Sequence, residues 1–279
     1  MTVFADLRRQ FHATLLAEVL TLSGTGVASN ADKSSKWSRM FAAGIIERIG
    51  HAAVAPKLAG QTSGARFEVI CAQFLTATQA HLTHLRPGRF EVEVGGHIAR
   101  FRQYAHLDEL EAIARSNREI ATALGSDYLI KPDILISRQP EGDRVINAHA
   151  ALVDWDVAGL SDLRAGMTAM PLLHASVSCK WTLRSDRAQN ARSEGLNLVR
   201  NRKGPLPHIV VVTGEPLPSR IASLALGTGD IDCVYHFALP ELRDVLTTPG
   251  NAAYLETLDM MVEGGRLKDI SDLPLDLVS

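Results

Sequence analysis

The sequence has no long hydrophobic run, no closely spaced pair of cysteines and no large excess of charge of either sign. No stretch approaches the roughly 18 apolar residues that a membrane-spanning helix needs, and charged residues occupy positions 6, 8 and 9, so neither a membrane span nor a signal peptide is expected. The three cysteines are scattered without a C-x-x-C pair, which is typical of the reducing cytoplasm and argues against structural zinc. A formal net charge of -2 excludes a protein that coats nucleic acid through bulk positive charge.

The composition is that of an ordinary folded protein, but its charge is unevenly distributed. The 279 residues are 46% hydrophobic and 22% charged, which is enough for a sizeable core. Between Lys180 and Lys203 there are seven basic and only two acidic residues. On a nearly neutral protein, such a segment predicts one local contact with phosphates, although a solvated helix face has the same pattern.

The spacing of apolar residues predicts helices in the first half of the chain, and alternating strands and helices in the second. Helical spacing and stop residues predict helices over 5–23, 38–50, 62–86 and 107–124, and period-two alternation predicts a strand over 90–94. Further strands are predicted over 128–136, 145–146, 175–181, 209–213 and 231–237, with helices over 185–201 and 217–226. The turn-prone residues 139–143 predict a hairpin between the first two of these strands.

The chain shows no linker, repeat or low-complexity tract, so we expect one α/β (mixed α+β) domain over 1–279. Within it we expect a mainly helical portion over 1–126, a sheet and recognition helix over 127–240, and a C-terminal tail over 241–279.

Two charged residues interrupt predicted strands, and a third follows on the next predicted helix. Asp133 and Lys180 lie within apolar strands, where a charge is costly unless it has a partner. Glu194 follows Lys180 on the basic helix. Carboxylates hold a hard divalent cation that activates water, and a lysine beside it offsets developing charge. These three residue types are the set that metal-dependent phosphodiester cleavage needs.

This arrangement resembles the PD-(D/E)-x-K nucleases, with Ser178 standing where the second acid is expected. In type II restriction endonucleases of the CCGG group the acid is displaced to the next helix, in the order P-D, (S/C)-x-K, E. The chain is similar, with Pro132-Asp133, then Ser178 to Lys180, then Glu194 after thirteen residues. The resemblance implies a restriction-endonuclease-like core, in which a central mixed sheet is flanked by helices.

The same resemblance implies the cofactor and its ligands. It implies Mg²⁺ held by Asp133 and Glu194, and it implies catalytic positions at Lys180 and Ser178. The backbone carbonyl of Cys179 is a further candidate ligand, whereas its thiol has no neighbouring base in the sequence that would make it a nucleophile.

The basic run that begins at Lys180 resembles the K-x-x-x-R-x-D-R signature with which this group reads its site. Arginine is the usual bidentate reader of guanine, which fits Arg184 and Arg187, and Asp186 can accept from cytosine N4. The resemblance implies a palindrome with a CCGG core, specifically GCCGGC, cut after the first G to leave 5′-phosphates and 5′ overhangs.

Outside this core the resemblance is carried by single residues. Gln61 and Glu68 resemble an outer-base reader and an extra active-site acid, and Ser34 and Arg220 resemble further contacts to the outer G·C pairs. The resemblance also implies double-stranded DNA as substrate and a homotetramer of two back-to-back dimers. A cognate DNA methyltransferase is its implied genetic partner, and the cytoplasm its expected location.

Two alternative functions stay open at this point. A structure-specific PD-(D/E)xK nuclease of repair or junction resolution would keep the same active-site residues. A non-cutting DNA-binding protein would use the helix over 184–203, but it would leave Asp133, Lys180 and Glu194 without a purpose. The R-x-D-R run favours recognition of a defined site.

Overall fold

The computed structural model describes residues 2–50, 60–125 and 130–279. Within these residues, six strands form one mixed sheet. Its strand order follows the chain: β1 (Phe90–Val94), β2 (Ile134–Arg138), β3 (Leu172–Lys180), β4 (His208–Thr213), β5 (Cys233–His236) and β6 (Leu267–Asp269). The first three strands pair antiparallel, and β3 to β6 pair parallel. The expected mixed α/β fold with a central mixed sheet is therefore confirmed.

Among the described residues, three helices precede the first strand, the last helix follows β6, and the others lie in the connections between consecutive strands. The helices are α1 (Val3–Glu18), α2 (Lys36–Ile49), α3 (Gly60–Gln79), α4 (His106–Ser116), α5 (Arg118–Leu124), α6 (Asp143–Ile146), α7 (Ser185–Arg200), α8 (Pro218–Ala225), α9 (Leu239–Leu246), α10 (Ala252–Glu263) and α11 (Leu273–Asp276), with a short 3₁₀ turn at Ile98–Arg100. Side chains of Thr2 and Ser35 cap α1 and α2. Within the described ranges, no helix combines the length and apolar character that a membrane crossing requires.

The two faces of the sheet pack against separate apolar clusters. Ile134 and Ile136 of β2 lie in the larger cluster, whereas Leu135 lies in the smaller one, as the period of two along a strand requires. The parallel strand β4 is buried over nearly its whole length and is accordingly a continuous Ile-Val-Val-Val run.

The predicted hairpin is wrong. Residues 145–146 are not a strand but end the short helix α6, and β2 pairs with β3, with Ile134 opposite Val177. The connection between these two strands spans 139–171. It is tied by the buried Arg164, whose Nε and Nη2 donate to the Asp143 carboxylate at 2.9 and 2.6 Å. This ion pair joins the early and late parts of the segment and so closes it into a loop.

Three predicted helices are shorter or interrupted, and the one predicted over 62–86 runs instead from Gly60 to Gln79. The helix predicted over 5–23 ends at Glu18 because the chain reverses there, and Ser29 donates to the carbonyl oxygen of Val19 at 2.6 Å. The helix predicted over 107–124 is split at Asn117, whose side chain accepts from the first backbone N–H groups of α5. Of the strand predicted over 128–136, residues 128–129 lie outside the described residues, and β2 itself begins at Ile134.

Residues 241–279 are not a tail, because they supply most of α9, then α10, the edge strand β6 and α11. Arg8 of α1 donates to both Glu241 and Asp269, at 2.6 to 2.8 Å, and so joins the first helix to β6. Because strands from residue 90 to residue 269 share one sheet, we propose that 1–279 forms a single domain.

Helix α7 lies close to the chain before β5 because residue 195 is a glycine. A Cβ at this position would overlap the backbone carbonyl oxygen of Asp230, which cannot rotate away as a side chain would. Arg192 reinforces the contact through a 2.7 Å ion pair with Asp230.

We expect Gly195→Ala to lower the free energy of unfolding by about 1–3 kcal/mol, because the added methyl group overpacks this contact. Urea denaturation measures the change. Gly166→Ala is the matched control, since nothing lies within 4 Å of its added Cβ, and it should stay within about 0.5 kcal/mol of the original protein. Equal midpoints for the two variants would show that α7 is not held by this approach.

Candidate active site

The pairing of β2 with β3 brings the first two predicted site residues together. Asp133 directly precedes β2, and Lys180 ends β3. The carboxylate oxygen Oδ2 of Asp133 accepts from the backbone N–H of Cys179 at 2.7 Å and from Lys180 Nζ at 3.1 Å. This arrangement explains how an apolar strand tolerates each charge, since the two charges are paired with each other.

Ser178 links this pair to helix α7. Its hydroxyl lies 3.3 Å from Asp133 Oδ2 and 3.4 Å from Glu194 Oε2. A hydroxyl has one proton to donate, so it serves one of the two carboxylates at a time. Glu194 therefore reaches, from the helix, the space beside the strand position where an acid is missing.

Glu68 approaches the same place from α3. A pocket of about 290 Å³ is lined by Glu68, Asp133, Lys180 and Glu194, together with Gly64, Ala65, Cys179, Trp181, Arg187 and Asn190. Phe67 packs on Trp181 with ring centroids 4.9 Å apart, which fixes α3 against the end of β3. The expected catalytic residues Asp133, Ser178, Lys180, Glu194 and Glu68 are thus all brought together.

The acids of this pocket repel one another, and burial makes their ionised forms less stable. Burial raises the pKa of Glu194, the charge of Asp133 raises it further, and Lys180 and the Ser178 hydroxyl only partly oppose this. Burial and then Asp133 also raise the pKa of Glu68. Burial alone would lower the pKa of Lys180, but the charges of Asp133 and Glu194 outweigh it, so the pKa is raised and the lysine stays protonated.

The donor set fits a hard divalent cation that keeps part of its hydration shell. Mg²⁺ is commonly held by one or two carboxylates plus waters and substrate phosphate. Asp133 and Glu194 provide two carboxylates beside one hydroxyl, whereas no three His, Cys, Asp or Glu side chains of the described residues are grouped to enclose an ion. The Cys179 thiol is an unsuitable ligand, because burial, followed by a contact with Cys71, raises its pKa well above the usual value.

The predicted base-reading residues begin helix α7, and we call Arg184–Arg187 the reading segment. Arg184 is the N-cap residue and Asp186 lies in the first turn, where its charge suits the helix dipole. Both are exposed, and neither side chain has a hydrogen-bond partner among the described residues. Arg187 folds back, and its Nη1 donates to Thr182 Oγ1 at 2.9 Å.

Ser34 and Arg220, far apart in the chain, meet at Asp32, and we call these three residues the outer cluster. The Ser34 hydroxyl donates to Asp32 Oδ1 at 2.7 Å, and Arg220 Nη2 donates to Asp32 Oδ2. These bonds hold the pKa of Asp32 well below its usual range. The side chain of Gln61 lies outside the described residues, although its backbone belongs to α3.

Two charged residues of these sites were not predicted. Asp32 stands two positions before Ser34, and Glu215 follows β4 and lies 3.9 Å from Arg220 Nη1. Each is an isolated carboxylate with no partner at a periodic spacing. The only signal for Glu215 is its place directly after a buried strand run, where a charge needs a partner.

Two carboxylates and a protonated lysine converge where β2 and β3 meet helix α7, whose N-cap is the exposed Arg184, and this combination is the one expected of a DNA-cleaving nuclease. Residues 11–279 match the model of the family described as NgoMIV restriction enzyme. The chain is also 55% identical over 281 residues to the Type II restriction enzyme NgoMIV of Neisseria gonorrhoeae, which covers 99% of this chain and 98% of that protein.

The chain therefore belongs to the NgoMIV restriction enzyme family. It is a type II restriction endonuclease, a site-specific deoxyribonuclease that acts on double-stranded DNA. The resemblance drawn from the sequence is confirmed, and the structure-specific and non-cutting alternatives are set aside. A solved restriction endonuclease PspGI–substrate DNA complex also aligns with all of this chain and 92% of its own, at 13% identity, but its TM-score of 0.28 adds no argument.

We expect millimolar Mg²⁺ to raise the melting temperature, because binding to the folded state alone stabilises by about 2.7 kcal/mol at a hundredfold excess over Kd. Asp133→Asn and Glu194→Gln should lose most of this shift. Without a cation, Glu194→Gln should melt higher than the original protein at neutral pH, since burial and Asp133 disfavour the ionised acid.

Differential scanning fluorimetry with EDTA or added Mg²⁺ measures both effects. Glu256→Gln, an exposed acid on α10, serves as the control and should keep the full shift. A Mg²⁺ shift that survives in both site variants would contradict binding by these carboxylates.

Proposed function

We propose that the enzyme recognises GCCGGC and, with Mg²⁺, cuts each strand after the first G to leave 5′-phosphates and four-base 5′ overhangs. The observation that carries the catalytic part is the contact of one hydroxyl, Ser178 Oγ, with both Asp133 and Glu194 beside Lys180. The observation that supports the site is the exposed reading segment at the start of the helix that carries Glu194.

Asp133 and Glu194 would hold the cation, with Glu68 as a further acid of the same pocket. When bound, Mg²⁺ supplies a Lewis acid that lowers the pKa of water and neutralises phosphate charge. The two carboxylates are fixed before any substrate arrives: Asp133 by the Cys179 N–H and Lys180, and Glu194 by Ser178. Such preorganisation is what a charge-stabilising site requires.

Lys180 is suited to donate rather than to accept a proton. The charges of Asp133 and Glu194 outweigh the effect of burial and raise its pKa, so its ammonium group is protonated at neutral pH. Its Nζ, 3.1 Å from Asp133, is placed to hold a non-bridging oxygen of the scissile phosphate and to offset the charge that develops on it.

The reading segment suits a G·C-rich core. Arg184 and Asp186 are exposed and so available to guanine and to cytosine N4, respectively. Arg187 uses only Nη1 on Thr182, which leaves Nε and Nη2 for a bidentate contact with guanine. The outer cluster, with its arginine and serine, is suited to the outer G·C pair, and Gln61 remains a proposed reader of the same pair.

An enzyme that cuts a six-base site would also cut its host's DNA, so we propose a cognate methyltransferase as genetic partner and the cytoplasm as location. All three cysteines are free, as expected where thiols stay reduced.

Digestion of a sequenced plasmid with Mg²⁺ tests the specificity. We expect every fragment end to map to GCCGGC with a four-base 5′ extension, because the reading segment provides two guanine readers for the two guanines of each half of the CCGG core. Sequencing the ligated ends gives the result. Ends at sites without a CCGG core would overturn the proposed specificity but leave the nuclease assignment intact.

Glu194→Gln should reduce cleavage by roughly 10² to 10³ at least while cognate DNA still binds, because the amide keeps the shape but not the charge. Asp133→Asn should behave alike, and the double variant should lose little more, since both acids act as one unit. Single-turnover cleavage and fluorescence anisotropy measure the two properties. Ser178→Glu combined with Glu194→Ser should recover part of the activity that Glu194→Ser loses.

Glu256→Gln is again the control and should cleave at the original rate. Full activity of Glu194→Gln at neutral pH would remove α7 from the catalytic machinery.

The connection 139–171 supports self-association. Trp155 is 84% exposed and Leu160 is 98% exposed, although Arg164 holds the loop through bonds to Asp143 and to the carbonyl oxygens of residues 154 and 157. Ordered, exposed apolar side chains are typical of a contact surface. A palindrome also requires two-fold related subunits, so we propose a homotetramer of two back-to-back dimers, with this loop in the contacts between copies.

Trp155→Ser combined with Leu160→Ser should shift the enzyme to a smaller assembly, because the apolar contact is lost. Sedimentation velocity measures the change. Leu85→Ser, which replaces a leucine that is 54% exposed outside this loop, should leave the assembly unchanged. An unchanged sedimentation coefficient for the double variant would exclude the loop from the interface.

A further inference from the structure

Glu215 is a fully buried carboxylate that lies outside the catalytic pocket. It follows β4 and precedes α8, and its side chain has no exposed surface. Its Oε2 accepts from the backbone N–H of Leu183 at 2.8 Å, and its Oε1 accepts from the backbone N–H of Leu217 at 3.2 Å. A buried charge of this kind is costly, so its two backbone partners are the reason it is tolerated.

These two partners belong to two different DNA-facing parts. Leu183 directly precedes Arg184 and hence the reading segment. Leu217 is the N-cap residue of α8, the helix that carries Arg220 of the outer cluster. Glu215 Oε2 also lies 3.9 Å from Arg220 Nη1, while Arg220 Nη2 is bonded to Asp32. One carboxylate thus contacts both parts.

The backbone around Glu215 is held independently of its side chain. A Cβ at Gly214 would overlap the ring of Trp181, so the segment before Glu215 lies directly against the residues that lead into the reading segment. The Glu215 N–H donates to Thr213 Oγ1 at 3.1 Å, and its carbonyl oxygen contacts His236 Nε2 at 3.1 Å. Changes confined to the side-chain carboxylate therefore leave this frame in place.

We propose that Glu215 is a positioning residue that couples the reading segment to the outer cluster, so that recognition of the inner CCGG and of the outer G·C pairs depends on one shared carboxylate. The inference rests on the proposed reading roles of Arg184 and Arg220. It goes beyond those roles because one residue, Glu215, would support both the reading segment and the outer cluster, which are separate in the chain.

The protonation state of this carboxylate bears on the same contacts. Burial raises the pKa of Glu215 to about 7, although the Leu183 N–H and Arg220 work in the opposite direction and Asp32 adds to the rise. His236, the other titratable group that faces it, stays neutral near pH 7 because burial lowers its pKa to about 4. Protonation of Glu215 turns one of its two carboxylate oxygens into a hydroxyl donor, which weakens the bond of that oxygen to its backbone N–H while the other oxygen still accepts.

The primary test is Glu215→Gln, measured as kcat/KM on three duplexes: GCCGGC, a duplex with one inner pair changed, and a duplex with one outer pair changed. We expect discrimination against both changed duplexes to fall by about tenfold, a coupling of ordinary size for residues in contact. Single-turnover cleavage of bound GCCGGC should change much less, because the catalytic pocket does not contain Glu215.

Double variants locate the effect. In an Arg184→Ala background, Glu215→Gln should cause no further loss at the inner pair, and in an Arg220→Ala background no further loss at the outer pair. In an Arg200→Ala background, which removes an exposed arginine at the other end of α7, the full effect should remain. Equal losses on all three duplexes, or a lower melting temperature with unchanged discrimination, would overturn the proposal.

A pH profile of the original protein gives a second test that needs no variant to fold. The ratio of kcat/KM on two duplexes cancels the pH dependence of the chemical step that both share. The ratio of kcat/KM on GCCGGC to kcat/KM on a changed duplex should fall as the pH is lowered from 8 to 6, and it should do so for the inner and the outer changed duplex alike. In Glu215→Gln the same ratio should not change with pH. A flat ratio in the original protein would overturn the coupling. If the plasmid digest maps another site, the proposed specificity fails separately, and the same three-duplex test applies to the inner and outer pairs of that site.

Discussion

The pocket proposed for catalysis brings three carboxylates close to one lysine. The carboxylates repel one another, and the surrounding structure must hold them in place against this repulsion. Asp133 is fixed by a backbone N–H of the neighbouring strand and by Lys180, and Glu194 is fixed through Ser178. Burial strengthens each of these bonds, but it also raises the free energy of every unpaired charge. A bound divalent cation would offset the repulsion among these carboxylates.

In the proposed function, helix α7 connects catalysis with recognition. Its first residues form the reading segment, Arg187 lines the catalytic pocket, and Glu194 follows two turns later. A helix of this length moves as a rigid element, so a shift that seats the arginines on base edges also moves the catalytic acid. Gly195 and Arg192 hold the middle of the helix against the chain before β5, which limits such a shift to a small one.

Much of this organisation follows from the sequence. Strand β1 and helix α7 lie where their periodicity places them, and the displaced acid lies beside Ser178 as the spacing implied. The strand predicted at Val145-Ile146 is wrong because two β-branched residues are too few to define a strand. The ion pair between Asp143 and Arg164, which lie far apart in the chain, fixes the local conformation instead. Asp32 and Glu215 could not be predicted, because only the tertiary fold brings Arg220 to both of them and the Leu183 N–H to Glu215.

The Arg8 contacts to Glu241 and Asp269 have a consequence for how the enzyme is made. Arg8 on α1 is synthesised more than two hundred residues before Asp269, its carboxylate partner on β6, emerges from the ribosome. The growing chain, which generally folds from its amino-terminal part first, therefore cannot complete the edge of the sheet until residue 269 is free. A polypeptide that stalls or is truncated before that point lacks the bonds between Arg8 of its first helix and Asp269 of the edge strand.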